Sequence, residues 1–128
     1  MVDFPERDWK LFKELHAMAS ERFCARALRV IKALMEDTTK DSIDRFFELK
    51  KLVQVQEREW NVVFSDWRRS TGALQLGAMF CRDLLTSEEF DRLSPYTRDY
   101  ILRMAQVMNP RGKEGREKTG GSPDASNG

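Results

Sequence analysis

The stretch FFELKKLVQVQEREWNVVFSDWRR, residues 46–69, contains neither Gly nor Pro. It reads as one long helix. Starting from Ile43, its large residues fall at Phe46, Leu49 or Lys50, Val53, Gln56 or Glu57, Trp60, Phe64 and Trp67. Those steps of three and four mark one helical face. Phe47 lies beside that face. The seam is polar at its middle, where Gln56 and Glu57 stand with Gln54 close by.

Upstream, residues 6–36 also lack Gly and Pro, with Pro5 suited to the first helical position. Trp9, Phe12, Leu15, Ala19, Phe23, Ala27, Val30 and Leu34 form one stripe. Leu11, Leu15, Met18, Leu28, Ile31 and Met35 form a second beside it. A face this wide predicts more than one neighbour. Between the two helices, EDTTKDSID (36–44) supplies N-cap residues in Thr38, Thr39, Asp41 and Ser42, and Asp44 adds a carboxylate at the next helix start.

Taken as 6–36 and 43–69, each helix is about 40–45 Å long at ~1.5 Å per residue. A compact domain of this size is only roughly 30–35 Å wide. Apolar stripes that overhang the core mark an interaction surface. The simplest closure is a second copy, with two hairpins forming a four-helix arrangement about a two-fold axis. The expected interface residues are Phe46, Phe47, Lys50, Val53, Glu57, Trp60, Phe64 and Trp67. The polar middle of the seam would fix register. The alternative is a monomeric bundle of five helices, with a bend at Ser70–Gly72.

After a kink or break at residues 70–72, ALQLGAMFCRDLL (73–85) continues helical. Thr86 followed by Glu89 is a capping box that opens a short helix with Phe90 and Leu93. Ser94-Pro95 repeats the start signal, an N-cap and then Pro at the first turn. The last helix carries Tyr100, Ile101, Met104, Val107 and Met108, and Asn109-Pro110 ends it. The expected fold class is therefore all-α: two long helices in a dimeric bundle, plus a small three-helix head. Residues 1–109 form one domain, with a long hairpin at 5–70 and the head at 72–108. Residues 110–128, PRGKEGREKTGGSPDASNG, hold no large apolar residue and are expected to be disordered.

Composition narrows the function. The chain has 128 residues, 41% hydrophobic and 34% charged, with 22 Lys plus Arg against 21 Asp plus Glu. A net charge of +1 gives no global pull toward nucleic acid or anionic lipid. No secretory leader and no membrane-spanning run is expected. Cys24 and Cys81, far apart in sequence, read as reduced, buried thiols in a cytoplasmic protein. His16 is the sole histidine, which cannot furnish a Glu-x-x-His di-iron pair or a Cys/His zinc set. It reads as a surface or half-buried helix residue. No phosphate loop and no nucleophile–base set is present, so neither enzyme chemistry nor a cofactor is expected.

Two non-enzymatic readings remain. Arg68 and Arg69 after Trp67, with Arg82, Arg92, Arg98 and Arg103 on the short C-terminal helices, suggest a helix-turn-helix-like DNA binder. Asp83, Glu88, Glu89, Asp91 and Asp99 interleave with them and argue for mixed-charge solvated faces instead. The other reading is a protein-docking head. There Leu74, Tyr96, Tyr100 and Arg103 are the candidate contacts, while Leu76 and Phe80 read as internal packing. Tyr tolerates one wet end and suits an interface.

The stretch LLTSEEFDRLSPYTRDYILRMA (84–105) resembles the C-terminal head of the fluorescence recovery protein family of cyanobacteria, through Glu89, Phe90, Leu93, Ser94, Ile101 and Ala105. Arg58, Trp67, Arg68 and Ser70 fall where that family has an arginine and a Tyr-Arg-x-Ser run. The likeness covers roughly residues 6–108. It implies an all-α homodimer without cofactor that binds a photoactivated carotenoid protein and speeds its return to rest. It would put Arg58 at the dimer interface and Leu74 against the partner, with Tyr100 where the family has a docking lysine. The chain departs from the family at Phe46–Lys51, where a Trp-x-x-His-Asp run is expected. Leu52 also stands where the interface arginine's aspartate would be.

Overall fold

The computed structural model describes residues 4–108, and the expectation of a disordered tail lies outside them. Among the described residues every regular element is helical: α1 (Glu6–Met35), α2 (Ser42–Phe64), α3 (Gly72–Cys81), α4 (Ser87–Asp91) and α5 (Pro95–Met108), with a 3-10 turn at Arg69–Thr71. The all-α expectation therefore holds.

α1 starts one residue after Pro5, whose carbonyl accepts the Trp9 N–H at 2.9 Å. Glu6 and Asp8 place carboxylates at its positive end. Asp41 caps α2 by accepting the Asp44 N–H at 2.8 Å. α2 then packs back along α1, with Phe23 meeting both Trp60 and Phe64 edge-on at 5.9 and 5.7 Å.

α2 ends at Phe64, five residues short of the expected Arg69. The cause is local. Ser65 Oγ donates to the Asn61 carbonyl at 2.5 Å, and Asp66 accepts the Arg68 N–H at 3.1 Å. Such side-chain bonds compete with the helical ladder. The chain leaves the axis here, and Trp67 folds back onto α1, 4.1 Å from the His16 ring and edge-on to Phe12 at 5.7 Å. The bend expected at Ser70–Gly72 thus lies at residues 65–68. Gly72 itself has ordinary helical angles, φ −58° and ψ −45°. It serves by its missing Cβ, which would overlap the Phe4 ring.

The core sits around the first half of α1. Phe12, Leu15 and Ala19 meet Val63 and Phe64 of α2 on one side and Leu76, Met79, Leu84, Leu93 and Ile101 on the other. The wide buried face does contact more than one neighbour. The C-terminal helices therefore share their core with the hairpin. Three clasps fasten them. Glu89 closes the expected capping box with Thr86, at 2.9 and 3.1 Å, and takes a bidentate contact from Arg22 of α1 at 2.6 and 2.7 Å. Arg26 donates to the carbonyls of Arg82 and Asp83, where Asp83, at φ 59°, turns the chain out of α3. Asp8, fully buried, accepts the Ser94 N–H at 3.0 Å and the Ser94 and Thr97 hydroxyls at 2.5 Å each. An α1 carboxylate thereby caps α5.

Beyond this core the hairpin continues as an arm. From Ser20 to Val62 no residue is fully buried, although Phe23 and Trp60 still pack on the core at its base. α1 has 30 residues and α2 has 23, so they run about 45 and 35 Å. Two expectations about small groups are corrected. Cys24 is exposed and Cys81 half-buried rather than both buried. Phe23 takes the inward place, and the next residue lies 100° around the helix. His16 is buried, and its Nε2–H donates to the Phe64 carbonyl at 3.0 Å, satisfying a helix-end acceptor.

Candidate docking surfaces

The single seam expected on α2 resolves into two stripes. Arg45, Leu49, Leu52, Gln56, Glu59 and Val63 are partly or fully covered against α1. Gln56 borders a hollow of about 260 Å³ between the helices. Rotated from this stripe, Ile43, Phe46, Lys50, Val53 and Glu57 recur at three- and four-residue steps and are all exposed. Phe46 is 63% exposed, and its ring meets that of Phe47, also exposed, edge-on at 5.3 Å. On α1, Leu28 and Met35, one heptad apart, are exposed as well. At 100° per residue they fall on the same broad side of the arm as Phe46 and Val53. The opposite side is the one on which Arg26 and Glu59 meet Arg82.

The residues expected at a dimer interface thus divide by position. Phe46, Phe47, Lys50, Val53, Glu57 and Arg58 lie exposed on the arm. Trp60 is half-buried inside the hairpin, 4.6 Å from Phe64. Phe64, 1% exposed, belongs to the chain's own core, so its place on an open seam is corrected. It faces α1 because the seam's register passes from the open flank to the α1 side near Trp60. Trp67 is 50% exposed although one face lies on His16.

On the C-terminal helices, Leu76 is buried and Phe80 packs on Phe90 at 4.9 Å, as expected of internal residues. Leu74 and Tyr96 are exposed, Tyr100 is half-buried and Arg103 is exposed. Tyr96, Tyr100 and Arg103 follow one another along one face of α5 at steps of four and three. Leu74 joins them across Met104. That methionine lines both a cleft of about 390 Å³ with Leu74 and a hollow of about 420 Å³ with Tyr100, Arg103 and Val107. Sequence spacing named Leu74, Tyr96 and Arg103, which are exposed, and Tyr100, which is half-buried, but not Val107, which is 82% exposed. It missed Met104, which reads as core, and Val62.

Electrostatics on this half of the molecule is largely internal. Arg68 pairs with Asp66 at 2.8 Å, Arg69 with Glu6 at 2.7 Å, Arg82 with Glu59 at 2.8 Å, Arg92 with Glu14 at 2.8 Å and Arg103 with Asp99 at 3.2 Å. The guanidinium beside each holds the Glu14 carboxyl below its ordinary range and the Asp66 carboxyl far below it. Cations spent on carboxylates are poorly placed to displace counterions from a phosphate backbone.

Among the described residues no group of three or more His, Cys, Asp or Glu is placed to hold a metal ion. No helix among them is long and apolar enough to cross a membrane. No family model, no curated protein and no solved structure matches the chain.

Proposed function

We propose that the protein is a non-enzymatic homodimeric regulator, whose arms pair with each other and whose C-terminal helices dock onto a client protein. The observation that carries this reading is the arm. Forty-odd consecutive residues lack a fully buried member, yet Leu28, Met35, Ile43, Phe46, Phe47 and Val53 stand exposed there. Apolar surface at this density is favourable to cover, at about 25 cal/mol per Å². A second copy supplies the same stripe and closes by two-fold symmetry, with Lys50 and Glu57 available to set register.

The docking face is built around Leu74, Tyr96, Tyr100 and Arg103, held on rigid helices by the Asp8 and Glu89 clasps. Binding one conformer of a client more tightly than another shifts that client's equilibrium, and no catalytic group is needed. The resemblance to the fluorescence recovery protein family supports a carotenoid-binding photoprotective client.

Light scattering of the purified chain tests the pairing. The expected mass is twice that of one 15.0 kDa chain. Phe46→Glu combined with Val53→Glu should return the mass to one chain with the helical content kept, since both side chains are exposed within the protomer. A wild-type mass of one chain at all concentrations refutes the arm-to-arm reading. Pull-down with a Tyr96→Ala, Tyr100→Ala double variant tests the docking face, with loss of the captured client expected.

A further inference from the structure

The open stripe of α2 carries its two charges in a pattern that fits a reversed copy of itself. Lys50 and Glu57 stand seven residues apart, about two helical turns, and both are exposed. Among the described residues neither makes an ion pair within the protomer. Around them on the stripe lie Ile43, Phe46 and Val53, exposed and apolar. A two-fold pair is isologous, so residue i meets residue j and j meets i. Were two copies of α2 to run parallel about such an axis, each stripe residue would meet its own copy. Lys50 would then face a lysine and Glu57 a glutamate. In an antiparallel pair each Lys50 faces a Glu57, twice over.

We propose that the second copy lies antiparallel, α2 against α2, with Lys50 opposite Glu57 of the partner subunit and the two-fold axis between Val53 and Gln54. This rests on the arm-to-arm reading and adds its direction and register. Val53 then packs at the axis, and Phe47 comes level with the partner subunit's Trp60. Trp60 is only half-buried in its own hairpin, so it keeps an open edge for that ring. Sliding one copy by a turn would oppose Glu57 to Phe46 or to Val53 and take Lys50 from its counter-charge. Charged pairs across a helix seam set orientation and register in this way. Lys51 and Arg58, 100° further round and exposed, stay at the rim, where water and salt screen their repulsion. The C-terminal helices follow the end of α2 at Phe64. The two Phe64 positions lie about 30 Å apart along the axis at ~1.5 Å per residue. The pair therefore presents its two docking faces separately, one at each end.

The test uses the full chain with Cys24→Ser and Cys81→Ala, which removes both native thiols. Lys50→Cys and Glu57→Cys chains, co-expressed, should form a disulfide-linked dimer on mild oxidation, and either variant alone should form little. In the antiparallel pair position 50 lies about 10 Å along the axis from its own copy, beyond the roughly 7 Å that bridged Cα atoms span. Sedimentation equilibrium reads charge reversal. Lys50→Glu and Glu57→Lys should each weaken pairing about tenfold, and the double variant should recover it. Light scattering separates this proposal from the reading beneath it. A mass of one chain overturns both and leaves the stripe to another occupant. With a mass of two chains, three results overturn the register alone: cross-linking by Lys50→Cys by itself, which marks a parallel pair; no cross-link in the mixture; or no recovery in the double variant.

Discussion

Replacing Asp8 with Ala should be among the most damaging single changes in the chain. Its carboxylate is fully buried and accepts three hydrogen bonds: the Ser94 N–H at 3.0 Å, and the Ser94 and Thr97 hydroxyls at 2.5 Å each. Hydrogen bonds to a charged group contribute about 1.5–3 kcal/mol each, and they are not additive within one network. Truncation leaves the buried Thr97 hydroxyl, the Ser94 hydroxyl and the Ser94 N–H just ahead of α5 without their acceptor. A loss of about 3–5 kcal/mol follows from losing the three bonds together and leaving their buried donors unpaired. Asp8→Asn separates charge from shape. Its Oδ1 can still accept the Ser94 N–H, and both hydroxyls can turn to accept from its amide. Asn should therefore cost only about 1 kcal/mol. Urea unfolding at fixed protein concentration measures both, the concentration being held because pairing of chains would add to the apparent stability. In thermal scans each kcal/mol corresponds to about 4–8 °C for a domain of this size. If Asp8→Ala costs less than about 1 kcal/mol, or Asn costs as much as Ala, the clasp is not what fastens α5 to α1.

Acid should loosen a second clasp. The Arg22 guanidinium hydrogen-bonded to Glu89 holds its carboxyl below the usual range, against opposing burial. A carboxylate whose folded pKa is depressed contributes its stability above the unfolded value, about 4.5, and loses it as pH falls through the folded value. Urea midpoints compared at pH 7 and pH 3 should fall by less in Glu89→Gln than in the native chain, the Gln variant being about 1–3 kcal/mol weaker at pH 7. Gly72→Ala should cost about 1–3 kcal/mol by overpacking, because the new Cβ meets the Phe4 ring. The same change made in a Phe4→Ala background should cost much less, so a double-mutant cycle that shows additivity would count against that contact.

Helix starts were legible in the sequence because they are local. Thr86 and Ser94 each announce a start, and the helices begin at the next residue, while for α2 the cap is Asp41, one of the four candidates Thr38, Thr39, Asp41 and Ser42. The end of α2 was not, because the stop at Ser65–Asp66 depends on side chains bonding to nearby backbone rather than on Gly or Pro. Asp8 was invisible for a different reason. Its three partners lie 86 or more residues away, and an Asp in the first turn of a helix already has a sufficient local explanation in the helix dipole.

The reading of α2 as one seam shows where periodicity stops being informative. Residues at i, i+3 and i+4 share a face, but a helix rich in large residues satisfies that rule on two adjoining flanks at once. Counting from Ile43 through Phe46, Lys50, Val53 and Glu57 follows the exposed flank. Counting from Arg45 through Leu49, Leu52, Gln56 and Val63 follows the flank on α1. Between Trp60 and Phe64 the two converge, because Trp67 has folded back and closes the hairpin at that end. Spacing fixes which residues share a flank, whereas only the partner helix decides which flank is spent within the chain. That distinction strengthens the case for a second copy. Had α2 carried one stripe, α1 would have consumed it and Phe46 would be covered. Of the two stripes, the one along residues 43–57 is left open by the protomer, and that open stripe is what the proposed second copy would cover.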